Sequence, residues 1–339
     1  MAVGGPPVLV VTRLDDATAD EVICELNRRR VPVVRLDPGD FPTEVSLSGT
    51  FDSIGPSGTL ATGTRTLDLG NVRSVYWRRP TPYTADLAMP EQTARWTVEE
   101  ARYGLGGVLA ALPGAQYINH PWRNRDAEYK PAQLAAAARC GFTVPPTLIT
   151  NHTDTAREFT ADHGPVIYKP LRETDYTDTT GRALTVWIDD VTPDQIDTRL
   201  RHTAHMFQQR VNKTADIRLT AVGDHLSAVR IDGSPGIDWR RHYDALTYTP
   251  SLSRPRSPKA CAPTSTPSAW FSAPSTSAWT VTAGGTGMSA IPTVNGRGSP
   301  TTSQPPSPTP SPTVFSTPKE AHDRSCRPTP PPCRRHPRG

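Results

Sequence analysis

The chain changes character near Pro250, and this break limits how much of it can fold. Of its 33 Asp and Glu residues only Glu320 and Asp323 follow the break, whereas 18 of its 37 prolines do. Proline donates no backbone hydrogen bond and carries no helix or sheet ladder, so residues 251–339 are expected to be a disordered Ser/Thr/Pro-rich tail without a packed core. Two origins account for such a tail. One is natural low complexity; the other is a slipped reading frame, because GC-rich codons read off frame yield Ser, Thr, Pro, Arg and Ala in bulk.

The break also divides the charge. The formal net charge of +4 combines an acidic first part with a basic tail, so the basic balance is no sign of specific nucleic-acid binding by the folded part. Cys24 and Cys140 stand alone in patterned segments, and Cys261, Cys326 and Cys333 have no paired metal spacing; free thiols in a reducing cytoplasm are expected. No apolar run is long enough to span a bilayer, and no basic N-terminal region precedes an apolar stretch. The expectation is a cytoplasmic protein with no membrane partner, and a homo-oligomer is left open.

Before the break the pattern is α/β. Val8 to Val11 form an apolar strand, Thr18 and Glu21 have capping-box spacing, and Val22, Ile23 and Leu26 recur at helical spacing. Val33, Val34 and Leu36 complete a β-α-β opening. The first turn, Thr12 to Asp16, has no glycine, which excludes a dinucleotide-binding turn. Glycine-rich turns at Gly55, Gly58 and Gly63 predict hairpins, and Val72 to Trp77 predict a strand ended by Arg78, Arg79 and Pro80. A longer helix carries Trp96, Tyr103, Val108 and Leu109, with Gly104, Gly106 and Gly107 marking either close packing or a break. Pro131 suits the first turn of the next helix and Gly141 its end. Strands follow at Val144–Ile149 and Val166–Lys169, then along Ile217–Leu219 and Val222–Ile231, with a turn at Gly223 and Asp224.

The residues that promise chemistry sit at element ends. Lys169 follows three apolar strand positions and precedes Pro170; it is either a solvated strand-end lysine or the partner of a buried anion such as a nucleotide phosphate. Lys130 stands just before a helix, where its charge and the helix N-terminus can face one anion. Glu173 to Arg182 reads as a polar flap. Asp216 and Arg218 share one strand face and are candidates for cross-strand ion pairing.

Taken in order, Asn119, Lys130, Gln133, Leu134, Gly141, Val144 to Thr147, Val166 to Pro170, Phe207 to Val211 and Asp216 to Arg218 resemble an ATP-grasp ligase. The N-terminal part, with Tyr76-Trp-Arg-Arg-Pro, resembles the pre-ATP-grasp domain of microviridin-type ribosomal peptide maturases, the graspetide ligases. The resemblance runs from about residue 8 to 250. It implies a pre-ATP-grasp α/β domain over 1–118, an incomplete ATP-grasp domain over 119–250, then the tail. It further implies that Lys130 and Lys169 bind ATP phosphates, that Gln208, Gln209, Arg210 and Val211 with Lys213 complete the nucleotide site, and that Arg218 faces the phosphates or an acyl phosphate. ATP and Mg²⁺ would be the cofactors. A ribosomal precursor peptide would be the partner, with an Asp or Glu joined to a Ser or Thr hydroxyl or a Lys amine. The family's metal-binding carboxylates belong after residue 250, where this chain has Ser, Thr and Pro, so no metal ligand is assigned. Read from the third base of each codon, with suitable codon choices, Ser272 to Ala278 become GAFDFG and Met288 to Ser299 become ECNPNGQWAWL. Both strings resemble the metal-binding end of that family. As printed, the chain is expected to be an inactive ligase or a non-catalytic protein that binds ATP or peptide.

Overall fold

The computed structural model describes residues 5–172, 176–222 and 225–251, and the backbone of two further strands at 277–284 and 287–292. Its described residues fall into two compact units that divide between Arg125 and Asp126.

The first unit is built on a parallel sheet. Strand β1 (Val8–Val11) leads through helix α1 (Ala17–Arg28) to β2 (Val33–Leu36). Three antiparallel strands, β3 (Val45–Phe51), β4 (Pro56–Thr62) and β5 (Thr66–Asp68), form the expected hairpins as a separate sheet. The chain then returns through β6 (Ser74–Trp77), α2 (Glu91–Ala110) and β7 (Gln116–Ile118), followed by α3 (Pro121–Ala127). Strand order is β2-β1-β6-β7, all parallel, so β1 is covered on both sides and all four of its residues are buried. Leu9 and Val11 join Leu36, Val75, Leu105 and Leu109 in one core, while Val8 and Val10 pack toward Ala19, Ile23 and Leu26 of α1. Alternate residues of β1 thus serve opposite faces of the sheet.

Helix α1 does not start where the capping-box spacing suggested. Its N-cap is Asp16, whose carboxylate accepts from the Ala19 N–H. The reason is that Asp16 also takes Arg78, which ties the cap to the sheet. The three glycines of α2 leave the helix unbroken; a Cβ on Gly106 would lie 3.0 Å from the Tyr83 hydroxyl, so close packing explains that position. Cys24 is disulfide-bonded and Cys140 is not, so the expectation of free thiols fails at Cys24. The other three cysteines lie outside the described residues.

The second unit begins with α4 (Lys130–Arg139), which Gly141 closes at φ +79° while the Phe142 N–H donates to the Ala137 carbonyl. Then come β8 (Thr147–Thr150), α5 (Thr153–Asp162), β9 (Val166–Lys169), the short pair β10 (Tyr176–Thr177) and β11 (Ala183–Leu184), β12 (Asp189–Val191) and β13 (His205–Gln209). Strands β12-β9-β13-β8 make a wholly antiparallel sheet. One face carries Val166, Tyr168, Phe207 and Leu148 onto Ala156, Ile196 and Leu200. A second antiparallel sheet contains β14 (Lys213–Val222), β15 (His225–Asp232) and β16 (Thr247–Ser251). The turn expected at Gly223 and Asp224 lies outside the described residues, but Val222 pairs with His225 on either side of it.

Two strands within the segment expected to lack structure extend that sheet. The backbone of β17 (Ser277–Gly284) pairs with β14, and β18 (Gly287–Pro292) with β17. The remainder of the tail is outside the described residues. Among the described residues no helix is long and apolar enough to cross a membrane.

Candidate functional site

Side-chain alternation on the first sheet of the second unit places the candidate site. With Tyr168 and Phe207 committed to the core, Ile167, Lys169, Met206 and Gln208 point to the other face, where Met206 pairs in register with Lys169 and Gln208 with Ile167. Lys169 is 6 % exposed. Burial, followed by Lys130, Arg240 and Lys213, lowers its pKa from the ordinary lysine value to about 7, with Asp238 opposing. A buried amine among three cations therefore has little to hold its own charge.

Each neighbour is anchored by its own element. Lys130, the first residue of α4, donates from Nζ to the Leu171 carbonyl at 2.8 Å, across the end of β9. Lys213, the first residue of β14, donates to both Asp216 oxygens at 3.0 and 2.8 Å and to the Ile237 carbonyl at 2.7 Å. Arg240 chelates Asp238 at 2.8 and 2.7 Å. Burial raises the Asp238 pKa, but the hydrogen bonds and charge of Arg240 outweigh it and hold the carboxyl below its ordinary range. The two carboxylates nearest the cluster, Asp216 and Asp238, are thus each occupied by a cation. The site is a group of four cationic side chains centred on the buried Lys169.

The structure brings Lys130, Lys169 and Lys213 together and sets Gln208 on the same sheet face as Lys169. Gln208 is 1 % exposed and donates its amide to Thr147 Oγ at 2.8 Å. Gln209 and Arg210 turn elsewhere. The Gln209 amide donates to the His163 carbonyl and Arg210 pairs with Asp190, while their backbone N–H groups donate to Pro146 and Pro165. Val211 is half-buried between them and β14. Arg218 lies two residues beyond Asp216 on the same face of β14, within electrostatic reach of Tyr248. On β15 its register partner is Val229, and the Asp216 carboxylate takes Lys213, so among the described residues the cross-strand ion pair considered from sequence is not formed.

Arg240 and Asp238 were not found from the sequence. Their signal is an Asp-x-Arg spacing at the start of a short 3-10 turn, where the carboxylate caps the Arg240 N–H and holds its guanidinium. Asp197 and Arg199 repeat the device on the surface. In the polar flap, Asp178 accepts from the Thr180 and Arg182 N–H groups and orders the tip. Among the described residues no group of three or more His, Cys, Asp or Glu side chains is placed to hold a metal ion.

The second unit thus sets a buried lysine on one antiparallel sheet and a second sheet whose first strand reads Lys-x-x-Asp-x-Arg, after a first unit built on a parallel α/β sheet. Residues 7–125 match the MvdD pre-ATP grasp domain family, so the resemblance to microviridin-type maturases holds for the first unit. Over about 85% of its length the chain resembles ATP-grasp ligases in fold. It superposes on the RiPP-associated ATP-grasp ligase of Chryseobacterium gregarium, in complex with ADP and a leader and core peptide, with TM-score 0.71 and 21% identity, over 85% of this chain and 88% of that one. The macrocyclase MdnC of Microcystis aeruginosa, bound with precursor peptide MdnA, gives 0.70 and 21%, over 84% and 89%. The ATP-grasp ligase PsnB, complexed with a phosphomimetic variant of a minimal precursor, Mg and ADP, gives 0.64 and 21%, over 84% and 88%. No curated protein matches the chain by sequence.

Proposed function

We propose that the chain binds ATP through Lys130, Lys169 and Lys213 and belongs functionally with ligases that activate a carboxylate on a ribosomally made peptide. The observation that carries the reading is Lys169, buried among like charges with the nearby carboxylates already taken. A triphosphate supplies the missing negative charge, and binding it would let the amine recover its proton. The solved relatives that hold ADP and precursor peptides support the choice of nucleotide and substrate.

In this reading the γ-phosphoryl group passes from ATP to an Asp or Glu carboxylate of the peptide. A Ser or Thr hydroxyl or a Lys amine then attacks the acyl carbon and releases phosphate, forming an ester or amide. Lys130 and Lys169 hold the phosphates, Arg218 faces the transferred group, and the protein's work is positioning and charge stabilisation. Gln208 shapes the adenine end beside Ile167 and Met206. Magnesium, when bound, would neutralise phosphate charge. Asp216 and Asp238 do not form a ligand set for it, because each is chelated by a cation, and no step is assigned through the metal.

Changing Lys169 or Lys130 to Ala is expected to weaken ATP binding by about 1–3 kcal/mol. Titration calorimetry measures this, and unchanged affinity in both variants would remove the assignment. For turnover we propose that the missing acidic ligands lie in the shifted frame after Pro250. A gene with that frame restored, co-expressed with its precursor, should yield peptide lighter by one water per crosslink, while the printed chain should yield none. Crosslinked product from the printed chain would contradict this.

A further inference from the structure

We propose that β3 pairs antiparallel with β3 of a second copy of the chain, joining their two hairpin sheets into one about a twofold axis at Ser48. In the sheet order β3-β4-β5 both outer strands are edges. β5 has three residues, and so short an edge offers little to pair with. β3 has seven, and no bulge interrupts its register against β4. Its sequence, Val-Ser-Leu-Ser-Gly-Thr-Phe, holds no charge and no proline, so it lacks the devices that keep an open edge from pairing.

The ladder shows which backbone groups the edge offers. At the hairpin tip the Asp52 N–H donates to the Gly55 carbonyl. Hydrogen-bonded pairs alternate along an antiparallel ladder, so Thr50, Ser48 and Ser46 spend their N–H and C=O groups on β4. Val45, Leu47, Gly49 and Phe51 turn theirs outward, and among the described residues no backbone group meets them. The strand is also open to solvent, with Ser46, Ser48, Gly49, Thr50 and Phe51 all exposed.

The strand fits itself. With the axis at Ser48, Leu47 stands opposite Gly49 of the second copy and Phe51 opposite its Val45, and these outward-turned pairs exchange two backbone hydrogen bonds each. A large side chain meets a smaller one in both. Within one copy a Cβ on Gly49 would come no closer than 3.7 Å to its neighbours, so the chain's own packing does not require glycine there, whereas a facing Leu47 uses the space. Phe51 is 62% exposed although it shares a face with the buried Val45, and the pairing covers it. On the other face Ser48 meets Ser48 and Ser46 meets Thr50, where hydroxyls bond across the strands. Glu44 and Asp52 would face each other just beyond the strand ends, which limits the pairing to β3; the Asp52 carboxylate is already turned back onto the Ile54 and Gly55 N–H groups. An acidic peptide is the poorer occupant, because β3 carries no cation to receive it.

Sedimentation equilibrium of the full chain tests this at about 100 µM, since an interface of one strand pair lies at the small end of the range for specific contacts. The wild type should sediment as a dimer of the 36.8 kDa chain. Gly49→Pro removes an outward N–H that β4 does not use, a change that an edge strand tolerates, and should weaken dimerisation roughly tenfold or more. Ser48→Lys and Ser48→Glu each set like charges across the axis and should each weaken it, while an equal mixture of the two should restore dimers. The charge exchange decides the matter if Gly49→Pro does not fold. A monomeric wild type, a dimer unaffected by folded Gly49→Pro, or a mixture no more dimeric than its two components would overturn the inference. So would a monomer whose β3 amides gain protection from hydrogen exchange only when a synthetic extended Ser/Thr peptide is added, which would assign the edge to a peptide instead.

Discussion

The two units each bury a charged side chain, and they treat it in opposite ways. In the first, burial raises the Asp16 pKa, but Arg78, Thr12 and the Ala19 N–H outweigh it and hold the carboxyl below its ordinary range. In the second, burial and the cations Lys130, Arg240 and Lys213 all push Lys169 the same way, down to about 7. A buried ion with its partner in place fastens the fold. One crowded by its own sign leaves room for a ligand of the opposite sign.

Removing the partner tests the first half of the comparison with the largest expected effect. Arg78→Ala leaves Asp16 buried and uncompensated and should cost about 3 kcal/mol of stability in chemical denaturation. A loss well below 1 kcal/mol would mean that the pair does not fasten β6 to the cap of α1. Removing the charge at the other site should act with the reverse sign. Lys169→Met keeps the apolar stem and should leave the protein about 1 kcal/mol more stable near neutral pH. Clear destabilisation would show that the amine has a satisfied structural role.

The two sites also predict opposite pH limbs. Lys169 has a folded pKa below its unfolded value, so the folded state holds fewer protons between about pH 7 and the ordinary lysine range, and stability should rise with pH across that window. Lys169→Met should lack that rise. Asp16 has a folded pKa below the ordinary carboxylate value, so its contribution is present at neutral pH and is lost as pH falls below about 4. Stability curves of wild type and the Lys169 variant that run parallel above pH 7 would refute the assignment. A smaller effect sharpens the contrast within one sheet face: Gln208 is buried like Lys169 but finds a neutral partner in Thr147. Thr147→Val should cost about 1 kcal/mol in thermal denaturation, and a neutral outcome would show that the amide finds another acceptor.

Much of this arrangement was legible where a residue ends a regular element. Lys169 is marked by the apolar run before it, Lys130 by Pro131 after it, and Gly141 by its place after an alanine run. What escaped lies where the backbone is irregular or the element short. Arg240 and Asp238 sit in a 3-10 turn with no apolar period to announce them, and β7 has only three residues. Asp16 outcompeted Thr18 as the cap because Arg78, 62 residues away in sequence, fixes its carboxylate, a contact no local spacing encodes. Gln209 and Arg210 were grouped with Gln208 by adjacency. Alternation along β13 sends Gln209 the other way, and Arg210 already lies beyond the strand end, paired with Asp190.

The central claim is that Lys169 is held for a nucleotide phosphate. Calorimetric titration of ATP at pH 8, in two buffers of different ionisation enthalpy, tests it directly. The wild-type chain should take up a proton as ATP binds, because a triphosphate beside Lys169 restores the ordinary basicity of its amine. Lys169→Met should bind ATP more weakly by about 1–3 kcal/mol and without that uptake. Equal affinity and equal proton uptake in the two proteins would contradict the account.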